Sequence, residues 1–271
     1  MLGINTNVPS LTAQKNLGSS SASINTSIAR LSSGLRINSA RDDAAGLAIA
    51  TRMSSEVRGS EVAKRNTNDG ISALQIADGA LSTVTDNVQR MRELAVQAAT
   101  GTLTTDDRTN LLAEFDALGA QLTDIATDTK FNGVSLLTGT PANLAIQTGA
   151  NSGDTTTVNL VNGSTIATAV DGADISTAAA ATTALTTIDA QLTALNTGRA
   201  TIGAGINRLD AVVSNLDTTV TNVSAARGRI MDADFAKETA NLTRTQILQQ
   251  AGTAMLAQAN QLPNNVLSLL R

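Results

Sequence analysis

The chain has 271 residues, a formal net charge of −4, and neither Cys nor His. Without imidazole and thiol groups it lacks the usual general bases, thiol nucleophiles and Cys/His metal ligands, so we expect neither an enzyme nor a cofactor. An acidic chain without a basic stripe, and without a run of about 18 apolar residues, argues against partnership with nucleic acid or membrane.

Small residues dominate the composition, and aromatic residues make up only 1% of it. Ala, Thr, Ser and Leu suit narrow seams between helices better than a thick globular interior. We therefore expect a mainly α protein. The amino end, "MLGINTNVPS", has no basic segment followed by an apolar segment, so we expect no cleaved export signal.

The amino-terminal segment, residues 1–29, contains a single charged side chain, Lys15. Apolar residues follow it at helical spacing and predict one packed face. These residues are Leu17, Ile24, Ile28 and Leu31.

The stretch "SSGLRINSARDD" follows, with a helix-breaking Gly34 among several charges. It predicts a joint between helices. Asp42 and Asp43 are adjacent on the chain, so their carboxylates do not converge as a catalytic or Mg²⁺ pair would, and we favour solvent-exposed or salt-bridging roles. We expect polar contacts between domains or subunits from Arg36, Arg41, Asp42 and Asp43.

Residues 74–98 carry apolar positions seven apart, which predict a long helix. "TGTLTTDDRTN" breaks the pattern, and Thr104 with Asp107 matches a capping box for the next helix. Three long stripes that cannot each fold alone predict an elongated antiparallel helical bundle or coiled coil.

Residues 130–177 differ in character. "NLAIQ" and "TTTVNL" alternate apolar and polar residues around "TGANSGD", which predicts a β-hairpin within about 130–160. Residues 161–177 are small and polar without a clear period, and we expect a short exposed loop or a vestigial outer insert.

The clearest periodicity lies in residues 185–230, where one apolar column recurs every seven residues. A column of this kind predicts a coiled-coil seam within the bundle. Its members are Ile188, Leu195, Ile202, Leu209, Leu216, Val223 and Ile230.

The carboxy-terminal segment, residues 245–270, has no charged side chain, yet its apolar residues step by threes and fours. An uncharged amphipathic end cannot offset its own ordering entropy. We therefore expect both ends to order against something outside this chain, while Pro263 should bend or interrupt the helix. The expected packing residues are Leu248, Met255, Leu262, Val266, Leu269 and Leu270.

Three long segments resemble bacterial flagellin: "LSSGLRINSARDDAAGLAIATRM", "LQIADGALSTVTDNVQRMRELAVQA" and the run from "SAARGRIMDADF" to "NNVLSLLR". The resemblance implies a short flagellin without large outer domains. Residues 1–45 and 232–271 would pair as the coiled coil of a filament core, and 46–140 with 178–231 would form the bundle. The protein would be secreted, extracellular and part of the bacterial flagellum, and its function would be motility.

The same resemblance implies further partners. Besides copies of itself, these are the type III export apparatus and its chaperone, the filament cap, the hook-junction proteins, toll-like receptor five and the cytosolic flagellin sensors. The receptor contacts implied are Gln89, Arg90, Leu94 and Glu114. A hook–filament junction protein and a secreted coiled-coil translocator remain alternatives, although a translocator would normally show a long apolar span.

Overall fold

The structure is a computed structural model that describes residues 6–139 and 143–268, with side chains as far as residue 261 in the last helix. The described residues form six helices and two small antiparallel sheets, which confirms a mainly α protein. The helices are α1 (Val8–Ser33), α2 (Ala44–Ala98), α3 (Thr105–Asp128), α4 (Gly163–Asp171), α5 (Ala178–Met231) and α6 (Phe235–Ser268). The strands are β1 (Lys130–Phe131), β2 (Val134–Ser135), β3 (Asn143–Gln147) and β4 (Thr155–Asn159).

The chain divides into two compact units. The terminal unit comprises Met1–Ser55 and Asn222–Arg271, and the central unit comprises Glu56–Thr221. The sequence analysis placed these borders between residues 45 and 46 and between residues 231 and 232. In the structure, the start of α2 and the end of α5 instead group with the terminal helices. The reason is a small apolar cluster in the terminal unit, in which Ile37, Ala50 and Met231 are buried together.

Within the central unit, α2 and α5 run antiparallel. Ion pairs join the two helices from Lys64–Asp217 through Asp78–Arg199 to Arg92–Asp189, so one residue number rises as the other falls. The seam between them buries Ile188, Leu195, Ile202, Leu209 and Leu216, whereas Val223 and Ile230 are half-buried in the terminal unit.

Helix α3 packs on the same core through a buried Phe115 and Leu122. Its start carries the expected capping box: Thr104 Oγ1 accepts a hydrogen bond from Asp107 N, and Asp107 accepts one from Thr104 N. This reciprocal pair satisfies two of the amide donors that a helix start otherwise leaves open.

The hairpin formed by β3 and β4 rests on the long helices. Ile146 and Val158 point into the core from adjacent strands. Glycines form the helix surface beneath them, since a Cβ at Gly70 would meet Ile146 and a Cβ at Gly205 would lie 2.7 Å from Val158 Cγ1. The absence of side chains at these two points lets the sheet approach the helices closely.

Of the two alternatives expected for residues 161–177, a short exposed loop or a vestigial outer insert, the exposed loop is wrong. Residues 163–171 form helix α4, which buries Ile166, Ala167 and Val170, and Ile175 beyond it is also fully buried. Asn162 caps the helix by accepting a hydrogen bond from Thr165 N at 3.2 Å. Because three apolar side chains share one face, the short helix packs on α3 instead of projecting into solvent.

Candidate functional site: the terminal helix pair

The first and last helices of the chain, α1 and α6, pack side by side in the terminal unit. Their contacts run from Asn7–Ala259 at one end to Ser27–Glu238 at the other, so the helices are antiparallel. The two ends of the sequence therefore meet in one coiled-coil-like pair within this chain.

The seam between these helices is made largely of small and polar residues. In each helix the buried and half-buried positions alternate three and four residues apart, which is the spacing of a coiled-coil seam. The seam positions are Ser10, Ala13, Leu17, Ser20, Ile24, Ser27 and Leu31 on α1, and Glu238, Leu242, Thr245, Gln249, Gly252, Leu256 and Ala259 on α6.

Hydrogen bonds fix the register of this polar seam. Asn7 Nδ2 donates to the Ala259 carbonyl at 2.8 Å, and Ser27 Oγ donates to Glu238 Oε1 at 2.6 Å. Arg30 lies 3.7 Å from the same carboxylate. Since Glu238 is only 8% exposed, these partners compensate for the burial of its charge.

The apolar side chains that are absent from the seam lie on the outside of the pair. Leu11 on α1 is 56% exposed, and Ile247 and Met255 on α6 are 59% and 65% exposed. Val8, Pro9, Leu248 and Met255 also line a groove of about 730 Å³ between the two helices. A helix pair that has a mixed polar and apolar seam and also leaves large apolar side chains exposed is suited to contacts beyond itself.

The residues that we predicted to pack in a filament core divide between these two environments. Leu17, Ile24 and Leu31 lie in the seam, whereas Ile28, Leu248 and Met255 are exposed on the pair. The side chains of Leu262 and Val266, and the whole of Leu269 and Leu270, lie outside the described residues. Pro263 lies within the bounds of α6, so this helix is not interrupted there.

The joint between α1 and α2 is fastened by contacts within the chain. Arg36 Nη2 donates to the Ile230 carbonyl at 2.6 Å, and Gly34, which ends α1 with a φ of 72°, accepts from Ala233 N. Asp43 Oδ1 accepts from Gly46 N at the start of α2, while Arg41 is exposed.

Asp42 fixes the turn before α2 by accepting hydrogen bonds from both Asn38 N and Ser39 N. The hydrogen bond from the Ser39 hydroxyl, followed by those from the two backbone amides, lowers the pKa of Asp42 below its ordinary value. The partners found for Arg36, Asp42 and Asp43 all lie inside the terminal unit, so these are not the contacts between domains or subunits that the sequence predicted.

The predicted receptor contacts lie on α2 and α3 of the central unit. Gln89 is exposed, and Arg90 donates two hydrogen bonds to Glu114 Oε1, from Nε at 2.9 Å and from Nη2 at 2.8 Å. Bonds to Glu114 and then Glu93 raise the pKa of Arg90. Leu94 requires a correction, because it is 1% exposed and packs in the core, so it is not a surface contact of this chain.

Sequence reasoning missed the polar half of the terminal seam because it followed apolar residues. The available signal was the column Ser10, Leu17, Ile24 and Leu31 with Ser20 and Ser27 between its members. Within residues 6–139 and 143–268, no cluster of His, Cys, Asp or Glu could hold a metal ion. Over the same described ranges, no helix is long and apolar enough to cross a membrane.

The two terminal helices pair and expose apolar side chains, and in the sequence they flank a helical unit that has its own core. This arrangement is typical of structural proteins that self-associate. Two family models match the chain: the bacterial flagellin N-terminal helical region over residues 4–142 and the C-terminal helical region over residues 185–270. The chain belongs to the bacterial flagellin family.

Several relatives match over nearly the whole length. Flagellin from Halalkalibacterium halodurans is 46% identical over 270 residues, which is 99% of both chains. Flagellin FlaB2 from Treponema pallidum is 39% identical and also covers 99% of both chains. The crystal structure of Bacillus cereus flagellin is 35% identical with a TM-score of 0.50, covering 60% of this chain and 94% of that chain.

Membership in this family settles the broad function. Flagellins are structural proteins that assemble as homopolymers into the flagellar filament used for motility, so this chain is a filament subunit and not an enzyme.

Proposed function

We propose that the pair formed by α1 and α6 is the surface through which this flagellin polymerises, and that it forms the core of the filament. The observation that carries the proposal is that large apolar side chains are exposed on the pair while polar side chains take up part of its seam. Its seam contains Ser27, Glu238 and Gln249, whereas Leu11, Ile247 and Met255 are more than half exposed.

Burial of this exterior against other copies provides the driving force. Each fully buried Leu, Ile or Met side chain contributes roughly 1.5–3 kcal/mol relative to its exposed state. The groove lined by Leu248 and Met255 offers an apolar surface to a neighbouring helix of the same kind. Few charges lie on α1, where Lys15 and Arg30 are the only two, so little desolvation of charge opposes the contact.

The terminal unit suits export in an unfolded state, which we propose for this chain along with the rest of the family's assembly route. Its buried apolar cluster contains only Ile37, Ala50 and Met231 among the described residues. A unit with so small a core unfolds easily and refolds where partners cover its exterior. The partners of this route are the type III export apparatus with its chaperone, the hook-junction proteins and the filament cap.

We also propose that innate immune receptors recognise this flagellin on the flank of α2 and α3. Gln89, Arg90 and Glu114 share this flank, and the ion pair between Arg90 and Glu114 presents a fixed arrangement of charge. A receptor would bind the pair as a unit, because separating the charges first costs two hydrogen bonds. The cytosolic sensors would bind "NVLSLLR", whose side chains lie outside the described residues.

The polymerisation surface is tested by placing charge in the groove. The double substitution Leu248→Glu and Met255→Glu should abolish filament growth from seeds, since two carboxylates would be buried between subunits. The melting temperature of the single chain should hardly change because both side chains are more than half exposed.

The control is the apolar exchange Leu248→Met with Met255→Leu, which conserves the volume and polarity of the groove and should preserve filaments. Electron microscopy and sedimentation measure the outcome. Normal filaments from the charged variant would refute the proposed role of this surface.

A further inference from the structure

The sequence contains two Asn-Gly pairs, Asn132–Gly133 and Asn162–Gly163. In the structure the first pair lies in an exposed turn, whereas the asparagine of the second pair is hydrogen-bonded and its glycine is buried. In this dipeptide the glycine has no Cβ to shield its backbone nitrogen, so the nitrogen can approach the asparagine side chain closely. Asparagine is also among the residues that degrade most readily with age and heat. In a folded protein, the rate of this degradation depends on whether the side-chain amide of the asparagine and the backbone nitrogen of the next residue can approach each other.

Asn132 and Gly133 form the two-residue turn between β1 and β2, whose paired residues are Phe131 and Val134. Their φ values of 48° and 80° are both positive, as a type I′ hairpin turn requires. Both residues are exposed, and a Cβ built on Gly133 would meet nothing within 4 Å. Among the hydrogen bonds of the described residues, none holds the Asn132 amide.

The strands beside this turn are two residues each, too short to hold it closed at all times. Hairpins of this size are marginal by themselves, and local opening releases the turn while the rest of the unit stays folded. The turn therefore samples the conformations that the reaction needs.

Both the oxygen and the nitrogen of the Asn162 side-chain amide are hydrogen-bonded. Its Oδ1 accepts a hydrogen bond from Thr165 N at 3.2 Å, and its Nδ2 donates to the Gly139 carbonyl at 2.8 Å. Gly163, the first residue of α4, is buried against Leu137 and Ala126. Its amide therefore reacts only after the cap of α4 has opened, which costs the capping free energy.

We propose that Asn132 is a site of spontaneous deamidation in this flagellin and that Asn162, with the same dipeptide, is protected. The backbone nitrogen of Gly133 attacks Cγ of Asn132, a C–N bond forms, the bond from Cγ to Nδ2 breaks, and ammonia leaves with the proton from the Gly133 amide. The resulting succinimide ring then takes up one water molecule. Opening at one carbonyl yields aspartate, and opening at the other yields isoaspartate.

The product alters the turn in which it forms. Either acid adds a negative charge beside β1, and isoaspartate also adds a methylene to the backbone at a position that requires a positive φ. The turn that joins Phe131 to Val134 would lose its geometry. This chemical ageing depends only on the folded chain and is independent of the proposed polymerisation surface.

The test compares the two sites within one molecule. The full chain is incubated at mildly alkaline pH and about 37 °C, then digested with a protease that cleaves before Asp, which separates residues 128–153 from residues 154–170. Aspartate formed at residue 132 or 162 is itself a cleavage site for this protease, whereas isoaspartate is not. Mass spectrometry therefore measures the acid product at each asparagine as the shortened peptide, 132–153 or 162–170, together with the uncleaved peptide that carries isoaspartate. A parallel sample unfolded in urea gives the rate that the local sequence alone supports.

In urea the two sites should react at similar rates. In the folded chain Asn132 should stay near its unfolded rate, while Asn162 should slow by about tenfold or more because its cap must open first. The variant Asn132→Gln should remove the early product from the 128–153 peptide, which excludes Asn143 and Asn151 as its source. Equal protection of both sites, or faster loss at Asn162, would overturn the proposal.

Discussion

Two glycines of α5 have different surroundings within the same helix. Gly203 and Gly205 both lie in the middle of α5, where glycine usually weakens a helix. A Cβ at Gly203 would meet nothing within 4 Å, whereas a Cβ at Gly205 would lie 2.7 Å from Val158 Cγ1 and 3.1 Å from its Cγ2. Gly205 is therefore needed for the contact with β4, and Gly203 is not.

This difference predicts opposite signs for the same substitution. Gly203→Ala should raise the free energy of unfolding by about 0.5–1 kcal/mol, the usual gain of helix propensity. Gly205→Ala should lower it by roughly 1–3 kcal/mol, because the methyl group overpacks against a stiff β-branched side chain. Urea denaturation followed by circular dichroism measures both changes, and equal stabilisation by the two substitutions would show that β4 does not rest on Gly205.

Several exposed aspartates are stabilised by local hydrogen bonds. Hydrogen bonds from Ser39, Thr104, Ser176 and Arg92 lower the pKa values of Asp42, Asp107, Asp174 and Asp189, respectively, below the ordinary 3.8. These bonds favour the charged form. Their contribution to stability is therefore complete above the unfolded pKa and is lost as the pH falls through the lower folded pKa values.

The stability of the chain should accordingly be flat across the neutral range and fall only in acid. No His is present to titrate, so the urea midpoint should change little between about pH 7 and 5. Below the ordinary carboxyl pKa of 3.8 it should decline steadily. A midpoint that already drops between pH 7 and 5 would mean that other groups control stability.

Among the elements, α5 was the most predictable from sequence because its apolar column from Ile188 to Ile230 is long and has no polar member. A second column beside it, from Leu185 to Arg227, is apolar except for Arg199 and Arg227. Arg199 is accommodated by its ion pair with Asp78 at 2.9 Å, half-exposed at the edge of the seam. Periodicity correctly indicates that a helix buries one face. It does not show how deeply each position of the column is buried, since that depends on what packs opposite.

Ile202 and Ile230 test this point, because they are the same residue in the same predicted column. Ile202 is fully buried in the central core, whereas Ile230 is half-buried beside the small cluster of the terminal unit. Ile202→Ala should destabilise the chain by about 2–5 kcal/mol, the usual range for a buried cavity. Ile230→Ala should cost clearly less, because the Ile230 side chain is only partly buried and less apolar contact is lost. Thermal melting of the two variants measures the difference, and equal losses would place Ile230 in a closed core.

Helices α4 and α6 show where sequence reasoning failed. In α6 the uncharged stripe with Leu248 and Met255 was expected to pack against both the amino-terminal segment and other subunits. In the structure these two side chains are exposed on the pair, while Glu238, Thr245 and Gln249 lie in the seam. The apolar stripe is present, but a sequence pattern does not indicate which of two helix faces meets which neighbour. The partner that we propose for this stripe is another copy of the chain. In α4 the apolar positions were too few for a visible period, although Asn162 at the cap gave a local signal.

At the scale of the whole molecule, the two units differ in how much apolar surface they close by themselves. The central unit buries large side chains from five elements or more, among them Phe115, Leu122 and Leu195. The terminal unit buries a three-residue apolar cluster and otherwise relies on the polar seam of α1 and α6. The central unit thus has an extensive core of its own, whereas the terminal unit is the one that we propose is completed by other copies.

Hydrogen exchange of the full chain tests this division directly. In the single chain, the amides of α1 and α6 should exchange at least about tenfold faster than those of α2 and α5 between residues 56 and 221, because few buried apolar contacts oppose their opening. In the assembled filament α1 and α6 should become strongly protected, since neighbouring copies cover Leu11, Ile247 and Met255. Samples of the two states are exchanged side by side and analysed as peptides, with the central core peptides as the internal reference. Strong protection of α1 and α6 already in the single chain would show that the polar seam suffices without partners.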